Sequence, residues 1–204
     1  MTLDSPLATR DYLVAMDSKV LSDACAAVRN GDLVGVPTDT LYGIAVDPFN
    51  EDALARVFEV KGRPGLKPLA ILVADLDQAQ QLAAFSDRAI ELAETHWPGA
   101  LTLVLPKLAT TPEWLGDRAR KTIGLRSPDH PDTREFLRAA GPLAVTSANM
   151  VGQSAVGDDE AAHELFGPDI AVYVPGEALG DAASTILDLT QPAEWVLRDG
   201  PVTP

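Results

Sequence analysis

Short apolar runs at residues 33–36, 69–74, 101–105, 122–126 and 143–146 constrain this chain more than any other feature. Each is too brief for a stable helix and is bounded by proline or a polar residue, so each reads as a strand with a buried place in a sheet. Between them lie stretches of helical period. Val20, Leu21, Ala24, Ala27 and Val28 recur on one face of 17–30, and Gly31 supplies a stop. Asn50 suits the cap of a helix that runs to Val60 and turns Leu54, Val57 and Phe58 inward. Further helices are expected at 77–84, 86–95, 132–140 and 158–166, and further strands at 170–174, 185–189 and 195–198. The two kinds of element alternate irregularly, without repeat, heptad or long Gly/Ser linker. This pattern supports one domain over 1–204, with its core at about 17–200. Several strands end in small hydroxyl or amide residues, Thr38 and Thr40 after the first run and Ser147 and Asn149 after the fifth. Strand ends of this kind converge on ligand sites.

The charge pattern narrows the chemistry. Formal net charge is -14, yet Lys61, Arg63 and Lys67 fall within the Gly/Pro-rich stretch Lys61-Gly62-Arg63-Pro64-Gly65-Leu66-Lys67-Pro68. Elsewhere 13 basic residues stand against 30 acidic ones, so the loop is an anion site in its simplest functional reading and a solvated turn in its plain one. An arginine fork beside a lysine point charge suits a polyphosphate, and Pro64 and Pro68 restrict the backbone that would otherwise lose entropy on binding. No GxxxxGK[ST] or GxGxxG motif is present. The overall acidity argues against broad nucleic-acid binding through phosphates.

Other residue types exclude more than they suggest. Cys25 is the single cysteine, which rules out an internal disulfide and reads as a buried thiol on an apolar helix face. His96, His130 and His163 have no metal-ligand spacing, so metal ligands are unassigned and Asp39 is the one carboxylate singled out. No 20-residue apolar run or signal-peptide pattern occurs, and the expectation is a cytoplasmic protein without membrane contact. Thr38, Asp39 and Thr40 equally suit a strand end and turn. Ser147 lacks a GxSxG elbow and a partnered histidine, which favours hydrogen bonding over nucleophilic attack. Trp97-Pro98-Gly99 reads as a packed turn. Arg126 and Arg198 end apolar strands, each either half of a surface ion pair or a phosphate contact.

Taken in order, Pro37-Thr38-Asp39-Thr40-Leu41-Tyr42-Gly43, Lys61-Gly62-Arg63-Pro64 with Lys67-Pro68-Leu69, Trp97-Pro98-Gly99 with Thr102, Ser147-Ala148-Asn149 and Ser184-Thr185 resemble the L-threonylcarbamoyladenylate synthase family, the YrdC-like domain in its short form. The resemblance spans nearly the whole chain. It implies an α+β, mixed α/β fold of YrdC/RibB-like type: a single domain with a twisted mixed β-sheet flanked by helices and a positive concave face. It also implies an adenylyltransferase that converts L-threonine, bicarbonate and ATP, with Mg2+, into threonylcarbamoyl-AMP and pyrophosphate. Partner proteins would then complete threonylcarbamoyladenosine on tRNA. Carried over by motif, Lys61 and Arg63 are catalytic. Arg63, Lys67, Thr102, Ser147, Asn149, Ser154 and Arg198 contact the nucleotide, and Thr40, Val145 and Ser184 hold L-threonine.

Three departures from the family pattern are visible. Leu72 stands where longer relatives have a histidine, Pro106 where many have a basic residue with Lys107 the substitute, and Met150-Val151-Gly152-Gln153-Ser154-Ala155 replaces a small polar run. The stretch Lys121-Thr122-Ile123-Gly124-Leu125-Arg126 is similar to a paralogous branch. Two alternatives therefore stand beside the synthase: a non-catalytic protein of the same fold that binds nucleotide, tRNA or double-stranded RNA, and a paralogous nucleotide-processing enzyme with another acceptor.

Overall fold

The computed structural model describes residues 16–62 and 68–204. Of the expected cationic loop, Arg63, Pro64 and Lys67 lie outside the described residues. In chain order the elements are α1 (Ser18–Arg29), β1 (Val34–Val36), β2 (Gly43–Val46), α2 (Glu51–Val60), β3 (Ala70–Leu72), α3 (Leu76–Gln80), α4 (Asp87–His96), β4 (Leu101–Pro106), β5 (Thr122–Arg126), α5 (Pro131–Ala140), β6 (Leu143–Ser147), α6 (Asp159–Phe166), β7 (Val172–Tyr173), β8 (Thr185–Asp188) and β9 (Trp195–Arg198).

Local chemistry sets the helix ends. The side chains of Asp17, Asn50, Asp75, Ser86 and Asp158 accept backbone N–H groups at the starts of α1, α2, α3, α4 and α6, satisfying donors that have no partner within the helix. Pro131 opens α5, where its missing N–H costs nothing, and Gly141 ends it at φ +96°, a conformation that side chains disfavour. The expected helix at 77–84 is shorter, because Ala84 gives its N–H to Pro106 O and Leu108 gives its N–H to Leu82 O. These pairings divert the chain alongside β4 before a third turn can form.

Among the described residues the strands form one mixed sheet in the order β7-β1-β2-β6-β3-β5-β4-β8-β9. Side chains alternate between two faces, and the alternation sorts the core. Ile44, Val46, Ile71, Val73, Leu101, Leu103, Leu105, Ile123, Leu125 and Leu187 point to one face and join α2, α4 and α6 in the larger apolar cluster. Val34, Val36, Ala45, Leu72 and Leu143 point to the other and pack with α1 and α5. That second cover spans only part of the sheet. Beyond it the same face presents Ala70, Thr102, Thr122, Gly124 and Ile186, which line open hollows instead of a core. No helix of the described residues is long and apolar enough to cross a membrane.

β2 is a strand that the sequence reading missed. All four of its residues are buried, so no polar alternation marks it, and its partners are β1 and the distant β6. The residues from Pro37 to Tyr42 consequently form the connection of an antiparallel hairpin. Gly43 is required where this hairpin meets β6, since a Cβ there would lie 2.8 Å from Val145 Cγ1.

Candidate functional site

The uncovered half of the sheet face holds a cavity of about 300 Å³. An adjoining hollow of about 200 Å³ shares Pro68, Leu69, Ala70, Thr102 and Ile186 with it. The larger cavity gathers Thr40, Thr102, Val145, Ser147, Ser184 and Arg198, all marked in the sequence, and adds Thr38, Leu72 and Arg126.

Arg126, at the end of β5, is the organising cation. Its Nε donates to Gly99 O at 3.0 Å, one terminal nitrogen to Thr40 Oγ1 at 2.9 Å and the other to Asp39 Oδ1 at 2.5 Å. The side chains of Arg126 and Asp39 are 6% and 11% exposed, so of the two readings left open this is an ion pair, and a buried one. Burial pulls the guanidinium below the ordinary arginine value; Asp39 opposes that pull and the positive charge of Arg198 adds to it. It remains protonated near neutral pH.

The hairpin tip has a defined proton order. Thr38 Oγ1 donates to Leu41 O at 2.7 Å and accepts the backbone N–H groups of Thr40 and Leu41, which fills its two lone pairs, and it lies 2.9 Å from the hydroxyl of Thr40. Thr40 Oγ1 accepts from Arg126 and, since the proton of Thr38 is given to Leu41 O, keeps one lone pair. Its free valence suits a ligand donor such as an amine or hydroxyl. Across the cavity, Ser184 Oγ lies 2.8 Å from Thr102 Oγ1 and 3.0 Å from a terminal nitrogen of Arg198, while Arg198 Nε donates to Ser184 O at 2.9 Å. Burial lowers the Arg198 guanidinium from its ordinary value. Two guanidinium groups and no carboxylate are among the described lining residues, on a chain of net charge -14. Asp39 neutralises Arg126, and Arg198 leaves the cavity locally positive.

A third network lies at the end of β6. Lys61 is the C-cap residue of α2, 4% exposed, and does not sit out on a loop. Its ammonium donates to Ser147 O and, at 3.1 Å, to Asn149 Oδ1. Asn149 Oδ1 also accepts from Ser147 Oγ at 2.6 Å, and its Nδ2 donates to Met150 O and Gln153 O. Every donor and acceptor of the Asn149 amide is engaged inside the protein, so it holds the turn and Lys61 together. Ser154 is exposed and is not among the cavity's lining residues. Lys107 donates to the carbonyls of Pro112, Glu113 and Leu115, which uses all three of its protons on the 112–115 turn. Arg63 and Lys67 lie outside the described residues.

The described residues provide no ready metal cage. They contain no group of three or more His, Cys, Asp or Glu side chains placed to share an ion. Asp39, the candidate ligand, is bound to Arg126 through Oδ1. Trp97 is a packed turn residue: its indole donates to Leu101 O at 2.7 Å and its ring meets Phe85 edge-on.

Arg126 and Thr38 are among the cavity residues to which sequence reasoning assigned no site role. The signal for Arg126 was there, a lone cation closing an apolar strand, but only the hairpin from β1 to β2 brings Asp39 and Thr40 against it.

Comparison with known proteins adds identity to this geometry. The family described as Sua5/YciO/YrdC, telomere recombination, matches residues 26–200. A putative threonylcarbamoyl-AMP synthase from Mycobacterium tuberculosis is 42% identical over 189 residues, covering 91% of this chain and 86% of the relative. The threonylcarbamoyl-AMP synthase of Bacillus subtilis is 36% identical over 200 residues, 95% of this chain and 56% of that protein. Among solved structures, P. abyssi Sua5 complexed with L-threonine superposes with a TM-score of 0.82 at 34% identity, over 89% of this chain and 54% of that one. The chain thus spans about half the length of the latter two.

Proposed function

The chain belongs to the Sua5/YciO/YrdC family, and from that premise we propose that it is a threonylcarbamoyl-AMP synthase acting as an adenylyltransferase on L-threonine, bicarbonate and ATP. The observation that carries the reading is the cavity itself. It sets the buried guanidinium of Arg126, held by Asp39, and the exposed strand-end guanidinium of Arg198 beside the hydroxyls of Thr40, Thr102, Ser147 and Ser184, with no carboxylate among the described lining residues.

The reaction joins the threonine amine to bicarbonate with loss of water. An oxygen of the resulting carbamate then attacks the α-phosphorus of ATP, and pyrophosphate departs. Two anions must meet and charge grows on phosphate oxygens, so positioning and fixed positive charge supply most of the rate. In this scheme Arg126 attracts the carboxylate of the amino acid, and Thr40, with one acceptor site remaining, receives an N–H or O–H from it. Val145 and Leu72 supply an apolar wall for its methyl group. Ser184 and Thr102 sit between the amino acid and the nucleotide, and Arg198 faces the phosphates. Lys61 fixes the end of β6, which carries Ser147. Pro68 lies in the cavity wall, and Lys67 precedes it directly in the sequence. Magnesium would arrive with the nucleotide substrate and supply positive charge to its phosphates, while Asp39 serves Arg126 through Oδ1. The product is passed on to partner proteins that act on tRNA.

Mass spectrometry of a mixture containing the protein, ATP, threonine and bicarbonate tests this directly. The expected result is a threonylcarbamoyl adduct of AMP, with pyrophosphate released only when all three substrates are present. Pyrophosphate release without threonine, or with an unrelated amine, would assign the chain to a paralogous activity instead.

A further inference from the structure

The opposite face of the sheet carries a second hollow, of about 290 Å³, lined by Leu54, Ala55 and Phe58 of α2 together with Leu69, Ile71, Trp114 and Leu115. Its lining also includes Glu51 and Asp52, both exposed in the first turn of α2. Neither forms an ion pair among the described residues. Trp114 is 40% exposed although it lines the hollow, and its indole donates to Pro48 O at 3.2 Å. That bond draws the ring to the residue preceding Phe49, itself 46% exposed. Single exposed apolar side chains are ordinary on protein surfaces. Here two large aromatic residues extend an apolar recess whose edge carries unpaired carboxylates.

We propose that this recess is a docking site for a segment of a partner protein that combines apolar anchors with basic residues. The recess is near the lower end of ligand-sized cavities, about 300 Å³, and accommodates one or two aliphatic or aromatic side chains. The shoulder of Trp114 and Phe49 extends the contact beyond what a small molecule covers, and exposed aromatics of this kind anchor protein interfaces. The carboxylates of Glu51 and Asp52 fix the sign of the partner's charge. Their ordinary role, stabilising the positive end of a helix, needs neither a recess beside them nor an exposed tryptophan. Pro68 and Leu69 line both this recess and the site on the other face, so an occupant would touch the back of the site's wall.

The probe is a fluorescent helical peptide of about 14 residues, roughly four turns, with leucines on one face and lysines on the other; a matched leucine–glutamate peptide is the comparison. Anisotropy is read near 0.15 M salt, about the physiological ionic strength, to screen diffuse charge. The lysine peptide should bind and the glutamate peptide should not. Trp114→Ala should weaken binding about tenfold or more, the scale of an aromatic anchor. Glu51→Gln with Asp52→Asn should weaken it about threefold, the scale of two rim charges. Should Trp114→Ala melt early, Phe49→Ala serves in its place. A pair of remote neutral changes, Glu135→Gln with Glu164→Gln, should leave binding intact. Equal losses from the remote pair would overturn the proposal by reducing the effect to net charge, and equal binding of the glutamate peptide would overturn it by removing the preference for basic residues. A concentration-dependent dimer that Trp114→Ala abolishes would assign the face to a second copy of the chain. Neither readout depends on the reaction proposed for the cavity.

Discussion

Replacing Arg126 with alanine should destabilise the protein more than any other single change in the cavity. The substitution removes the donors that meet Asp39, Thr40 and Gly99 and leaves a carboxylate that is 11% exposed without its cation. Deleting one partner of a buried ion pair costs about 3–5 kcal/mol, and each hydrogen bond lost to a neutral acceptor costs about 1 kcal/mol. Water that reaches Asp39 through the cavity offsets part of this, which places the net loss at about 3–4 kcal/mol, near the lower figure for a buried pair. For a chain of this size each kcal/mol shifts the melting temperature by about 2–4 °C, so the variant should melt about 6–16 °C below the parent. Thermal and urea unfolding followed by circular dichroism measure both quantities. The double variant Asp39→Ala with Arg126→Ala removes the orphaned charge and should be at least about 2 kcal/mol more stable than the sum of the single changes implies. An Arg126→Ala variant within about 1 kcal/mol of the parent, the scale of one neutral hydrogen bond, or a strictly additive double variant, would show that the pair does not hold the hairpin tip.

Lys61→Ala should lower the rate of pyrophosphate release by roughly two to three orders of magnitude, the scale of losing one preorganised contact, with Asn149→Ala reproducing part of the loss because it frees the same turn. Steady-state kinetics beside a melting curve separates the catalytic share from the structural one. His130 is 5% exposed, its Nδ1 has no partner, and burial holds its imidazole below the usual histidine value against the opposing influence of Asp132, Asp39 and Asp129. The unfolded chain therefore binds a proton there at a higher pH than the folded protein does. Stability should fall as pH drops below about 6.5, the ordinary histidine value, until the lowered folded value is passed. His130→Gln should flatten that slope in urea titrations across the same range; an unchanged slope would place the proton uptake elsewhere.

The sequence disclosed elements more readily than their neighbours. The cap at Asn50, the helical periods and the apolar runs placed most helices and strands to within a residue or two, because these signals are local. β2 escaped notice since a strand buried on both faces shows no alternation. The position of Arg126 was equally hidden, as its partners lie 86 and 87 residues away and meet it only after the sheet has assembled. Lys61 was legible as a cation but not as a buried one, because its bonds to Ser147 and Asn149 cross similar distances. The hydroxyls of Thr40, Thr102, Ser147 and Ser184 were each ordinary strand-end residues in the sequence, and only the shared cavity gives them a common surface.

β6 is hydrogen-bonded along both edges, with Val145 between Ala45 of β2 and Ala70 of β3, and Ser147 opposite Gly43. A shift of one residue would turn both side chains to the far face of the sheet and break two ladders at once. Insertions and deletions in this strand are thus closed to natural variation and to the engineer alike. Point replacements at its inward positions remain open, and they are the route by which a chain of this architecture can acquire a different acceptor.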